Sequence, residues 1–269
     1  MKKVCLAIAL AGIVATPSLF AAMSVTLVDS AGNTTGNTYS YGNGGEFRAV
    51  GDAGLNAVVN WNAYSTTTSG TTSDAVDGGS WGYNSGLAVA GQKYFQTFCI
   101  EYTEEFIPGG TYAVSMSGNA LYGHLGPPNG VPVTMGTAWL YSQFAAGTLS
   151  GYNYTYGSGR TASAGSLQQA IWYLQGENGG VDNSLVTLAL NAVGAANLLH
   201  AANGAFDVEA LNLGDPGAAQ DQLVIVTDPI RANLVAVPEP TTMVAGAGAL
   251  GLALLGIGRA RRSTVVRIG

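Results

Sequence analysis

Cys99 is the one thiol between residues 23 and 235, and His124 and His200 are the chain's two imidazoles. The other cysteine, Cys5, sits in an N-terminal segment with the layout of a cleavable leader, which leaves Cys99 without an internal disulfide partner. Four chemistries are open to such a thiol: an inert buried side chain, an intermolecular disulfide, a catalytic nucleophile, or a thiol capped by another bond. A cysteine hydrolase needs an imidazole base beside the sulfur, so His124 and His200 are the candidates for that reading. His124 falls in a Tyr-Gly-His-Leu-Gly loop. His200 ends an alanine-rich helical candidate, where a positive ring suits the helix C-terminus. Neither lies in a nucleophile-family motif. The acids are scattered, with no Asp-x-Asp-x-Asp-Gly run, so no metal site and no cofactor are expected.

Two short motifs narrow the choice. Thr97-Phe98-Cys99-Ile100-Glu101 places the thiol after an aromatic residue, and Leu167-Gln168-Gln169-Ala170-Ile171-Trp172 follows much later. Together they resemble the two signatures of the bacterial thioester domain found in surface adhesins, over roughly residues 94 to 200. The segment Gly136–Tyr141 is similar to an intervening helix of that family. The resemblance implies a bond between Cys99 on a strand and Gln168 on a helix, with Gln169 at the variable position. A thiol that attacks a side-chain amide expels ammonia and leaves an activated acyl group, provided the carbonyl is held at about 3–3.5 Å. Trp172, four residues beyond Gln168, shares its helix face and would shield the bond from water. The resemblance further implies attack by an amine on another molecule, once and without turnover, so the chain is not read as an enzyme.

Positioning such groups needs regular elements. Ser24–Val28 alternates and reads as an opening strand. Residues 29–46 and 65–86 are rich in Gly, Ser, Thr and Asn and read as loops, while Leu55–Trp61 reads as a strand. Tyr94–Tyr102, dense in aromatic and β-branched residues, is the strongest strand candidate. Thr111–Met116 is expected to pair with it across Pro108-Gly109-Gly110. Helical spacing follows in Met135–Ala146, Ala164–Leu174 and Asn183–His200, and Leu223–Val226 returns to strand. The expected fold class is mainly β, sandwich or barrel-like, with an inserted α-helical section. No internal repeat is evident.

The two ends read as processing signals. Met1-Lys2-Lys3, the apolar run Val4–Val14 and the small residues to Ala22 match a secretory signal peptide over residues 1–22. At the other end Val237-Pro238-Glu239-Pro240 precedes the uncharged stretch Met243–Gly258, then Arg259, Arg261 and Arg262. These three features resemble the PEP-CTERM sorting tail, read here as residues 236–263 with a single transmembrane segment 243–258 and a cytoplasmic end 264–269. That resemblance implies a Gram-negative bacterium, recognition of Pro238, Glu239 and Pro240 by an exosortase, and transient anchoring in the inner membrane. The arginines would act as the stop-transfer cluster. Residues 22–240 hold four basic and sixteen acidic residues, a formal charge of −12, which leaves no basic patch for nucleic acid.

The exported domain, residues 23–235, is thus expected at the cell surface or in extracellular matrix. Its expected role is an adhesin bonding covalently to an amine-bearing surface protein through the thioester. The alternative is a passive structural or glycan-binding biofilm matrix protein whose aromatic loops stack on polysaccharide.

Overall fold

The computed structural model describes residues 23–29, 39–41, 44–71, 91–121, 130–214 and 219–229. Strands β1 (Ser24–Asp29), β2 (Ser40–Tyr41), β3 (Gly44–Gly45) and β4 (Phe47–Gly51) precede helix α1 (Ala53–Val58). Then come β5 (Ser69–Thr71), β6 (Lys93–Thr97), β7 (Thr111–Ser117), β8 (Asn119–Ala120) and β9 (Val131–Pro132). Helices α2 (Met135–Ala145), α3 (Ser158–Gln175) and α4 (Ser184–Val193) lead to β10 (Val208–Leu213) and β11 (Gln222–Ile225). The fold is mainly β: a seven-stranded antiparallel sheet in the order β11-β10-β7-β1-β4-β6-β5, with α2, α3 and α4 inserted between β9 and β10.

β1 lies at the middle of the sheet because its alternation serves two faces. Val25 and Leu27 join the main core, while Val28 packs with Val50 and Tyr94 on the other side. The main core also takes Phe95 and Phe98 and the inner faces of the helices, among them Leu140, Phe144, Leu167 and Ile171. The sheet curls until β11 meets the chain just past β6. Leu223 N donates to Phe98 O at 3.1 Å, Ile100 N donates to Asp221 O at 2.9 Å, and Thr97 Oγ1 donates to Leu223 O at 2.6 Å. Cys99 and Gln222 face each other in this seam as an antiparallel bridge.

Several expectations change. Leu55–Trp61 is not a strand: Ala53–Val58 is helical, because the Asp52 carboxylate caps it by accepting from Leu55 N at 2.8 Å. Leu55, Val58 and Val59 in fact recur at helical spacing. β7 does not pair with β6 but lies between β1 and β10, since Leu27 binds the Gly109-Gly110 turn through both backbone groups. Tyr94–Tyr102 stays in the sheet only to Thr97, after which the chain leaves β4 for β11. α3 starts at Ser158, six residues earlier than expected, and α4 ends at Val193, where Gly194 stops it. Strands β4 and β10 were not expected, and β5 and the β2–β3 hairpin fall inside tracts read as loop. Residues 1–22 and 236–269, with the signal peptide, Pro238, Glu239, Pro240, the 243–258 span and the arginines, lie outside the described residues. Among the described residues, no helix is long and apolar enough to cross a membrane.

Candidate functional site

α3 carries the site on a single stripe. Arg160, Ala164, Gln168, Trp172 and Gln175 recur every three to four residues, and all are buried. The helix is bounded by Gly157 at its start and by Gly176 at φ +76°, a left-handed cap whose N–H returns to Trp172 O and Tyr173 O. At its N-terminal end Arg160 is clamped by Glu46. Arg160 Nε donates to Glu46 Oε2 at 3.0 Å, its Nη2 pairs with Oε1, and the Tyr152 hydroxyl donates to Oε2 at 2.5 Å. Both charged side chains are fully buried, and the guanidinium lies over the Tyr39 ring. This pair locks the helix to the segment that begins with β3.

Eight residues further along, Gln168 meets Cys99, and both are fully buried. Gln168 Nε2 donates to Cys99 O at 2.7 Å. Gln168 Oε1 accepts from two backbone donors, Gly45 N at 3.0 Å and Cys99 N at 3.2 Å. The amide carbonyl therefore points its oxygen into a pair of N–H groups, the arrangement that stabilises negative charge building on a carbonyl oxygen under attack. The approach of β3 depends on glycine: a Cβ on Gly44 would lie 2.7 Å from both Gln168 Cγ and Trp172 Cη2. Trp172 is thus beside Gln168, as its place on the helix suggested. Its indole N–H donates to Glu101 O at 3.2 Å, and Tyr102 packs edge-on against it at 5.0 Å.

The sulfur has its own partner. Gln222 Nε2 donates to Cys99 Sγ at 3.4 Å and to Gln220 O at 3.1 Å, while Gln222 Oε1 is buried with no hydrogen-bond partner among the described residues. Burial pushes the Cys99 thiol up to about 12; the Gln222 contact opposes that rise and the Glu101 charge adds to it. The thiol stays protonated at neutral pH. His124 lies outside the described residues, and His200 is exposed at the end of the turn after α4, its carbonyl accepting from Met135 N. Among the described residues, no group of three or more His, Cys, Asp and Glu side chains is placed to hold a metal ion.

Sequence reasoning named Cys99, Gln168 and Trp172, and these three are brought together. It missed Gly44, Gly45 and Gln222, which complete the surroundings of the amide and the sulfur. Gly44-Gly45 sits in a tract whose composition says only loop, and what it contributes is space and a backbone N–H. Comparison with protein-family models, with characterised proteins and with solved structures found no match for this chain.

Proposed function

We propose that the chain is an exported surface or matrix protein that attaches covalently through a thioester between Cys99 and Gln168. The observation that carries this reading is the Gln168 carbonyl oxygen held between the N–H groups of Gly45 and Cys99, with the Cys99 thiol on the same residue as one donor. In bond formation Cys99 Sγ attacks Gln168 Cδ, the charge on Oε1 is met by those two donors, and the Cδ–Nε2 bond breaks. The thiol proton leaves with the nitrogen as ammonia. A primary amine on a partner then attacks Cδ, the Sγ–Cδ bond breaks, and a proton from the amine returns to sulfur. Burial of Cys99, Gln168 and Trp172 keeps water from the acyl group, so the amine reaches it only when the Trp172–Tyr102 cover moves.

The curled sheet suits a barrel-like reading, since the seam between β6 and β11 supplies the floor on which Cys99 and Gln222 meet. Display on the surface rests on the tail: Pro238, Glu239 and Pro240 as exosortase recognition, residues 243–258 as a transient span, and Arg259, Arg261 and Arg262 as its stop. Replacing Pro238 and Pro240 by alanine is expected to hold the protein in the inner membrane, and unchanged surface delivery would sink the sorting half.

For the covalent half, intact-mass measurement of the purified protein is expected to read one ammonia below the sequence mass, with the deficit abolished in Cys99→Ala and in Gln168→Ala. Full mass with a Cys99 that alkylates only on unfolding would instead favour a passive matrix protein. A specific observation supports that second reading. Gln175 clamps backbone in the same way as Gln168, accepting from Thr134 N at 2.9 Å and donating to Pro132 O at 3.1 Å, with no thiol involved.

A further inference from the structure

A cavity of about 370 Å³ opens between the β7–β8 connection and the turn Asn203–Asp207, sharing no residue with the Cys99–Gln168 site. Its volume lies at the small end of the ~300–1,000 Å³ typical of small-molecule sites. Glu209, on β10, lines it from within the sheet. The residue is only 4 % exposed, yet its Oε2 has no hydrogen-bond partner among the described residues. A buried acceptor left unpaired has lost its hydration without replacement, so the position is one a ligand's donor would relieve. Two glycines flank the carboxylate: a Cβ on Gly118 would lie 3.7 Å from Oε2, and one on Gly204 3.4 Å from Oε1.

The wall opposite Gly118 is strained. Asn203, Phe206 and Asp207 have φ of 50°, 59° and 57°, and they are the non-glycine residues with positive φ among those described. Such backbone persists where the surroundings over-determine it, and it clusters at binding sites. The strained turn presents the Phe206 ring, 43 % exposed, two residues from the glycine that lines the cavity.

We propose that this cavity binds one saccharide unit of a neutral polysaccharide, with Glu209 Oε2 accepting from ring hydroxyls and Phe206 offering an apolar face to the sugar. Other ligand classes fit less well. A divalent cation takes 6–8 oxygens and usually several carboxylates, whereas the lining supplies one. An anion meets the Glu209 carboxylate with no cation in the lining to offset it. An apolar ligand meets walls of Ser117, Asn119 and Asn203. Burial holds the Glu209 carboxyl up to about 7, so the group stays a mixed donor and acceptor near neutrality, suited to hydroxyls. The site is independent of the thioester and stands whether or not that bond forms.

The test is calorimetric titration of the purified full-length protein with glucose, galactose, mannose, xylose and N-acetylglucosamine, each run beside calcium chloride and methylamine. At least one sugar is expected to bind in the millimolar range, and Glu209→Leu, which removes the acceptor together with its unpaired buried oxygen, is expected to weaken it about tenfold without lowering the unfolding temperature. Phe206→Gly relieves the strained φ, so it is expected to raise the unfolding temperature while weakening the same sugar. Absence of sugar binding, binding of calcium or methylamine alone, or equal sugar binding by both variants would overturn the proposal.

Discussion

Gln168 and Gln175 turn the same side chain to the same use, each matching both polar atoms of an amide to backbone, but only Gln168 does so on a residue that carries sulfur. The difference between a structural clamp and a reactive acyl group therefore rests on how the thiol is treated, and Gln222 is the side chain that touches it. Gln222→Leu removes the donor to Sγ and, with it, the unpartnered Oε1, so the fold is expected to survive. Without that donor the thiolate character of Cys99 falls further. A hydrogen bond to a charged atom is worth about 1.5–3 kcal/mol, so ammonia loss is expected to slow by about tenfold or more. A time course of intact mass after synthesis measures it, and an unchanged rate would remove Gln222 from the chemistry. None of this was legible at Gln222 itself, which reads as an ordinary polar residue before a strand. Cys99 and Gln168 were legible because the thiol is alone and the Gln-x-Ala-Ile-Trp pattern is distinctive.

Element by element, the site is a helix pressed against a two-residue strand, and one ion pair sets their register. Glu46 follows β3 directly, while Arg160 opens the stripe that ends in Trp172 and Gln175. Glu46→Ala leaves a fully buried guanidinium without its carboxylate, a loss of about 3–5 kcal/mol by the usual cost of breaking such a pair. Urea denaturation checks this, and a loss below about 1 kcal/mol would mean that Arg160 finds other partners, as its bonds to Thr67 O and Tyr154 O permit. The helices α2 and α3 were readable because their apolar residues repeat at helical spacing, while the polar first turns of α3, from Ser158, carry no such repeat. β4, β10 and the pairing of β7 were not. Short antiparallel strands are chosen by which neighbour offers the better edge, and β1 offered one to both β4 and β7.

At the scale of the whole molecule, Glu101, Glu104, Glu177 and Asp221 set four carboxyls within electrostatic reach of one another beside the seam. Burial raises Glu104 to about 8 and Asp221 to about 7, with the Glu101 charge adding to both, and burial alone raises Glu209 to about 7. Each carboxyl keeps its proton to a higher pH when folded than its ordinary value of 4.5 for Glu or 3.8 for Asp. The folded chain therefore binds more protons than the unfolded one between about pH 4 and 8, and this contribution to stability is lost as pH rises through that window. Unfolding temperatures measured across the window are expected to fall toward alkaline pH, less steeply in Glu104→Gln; a flat profile would contradict the linkage. The closing of the sheet has a mechanical side as well. β11 is the last strand among the described residues, and it is joined to β10 on one side and to residues 97–100 on the other. A pull transmitted from the C-terminal direction is borne first by β11, so Gln222 would be peeled from Cys99 before the middle of the sheet feels load.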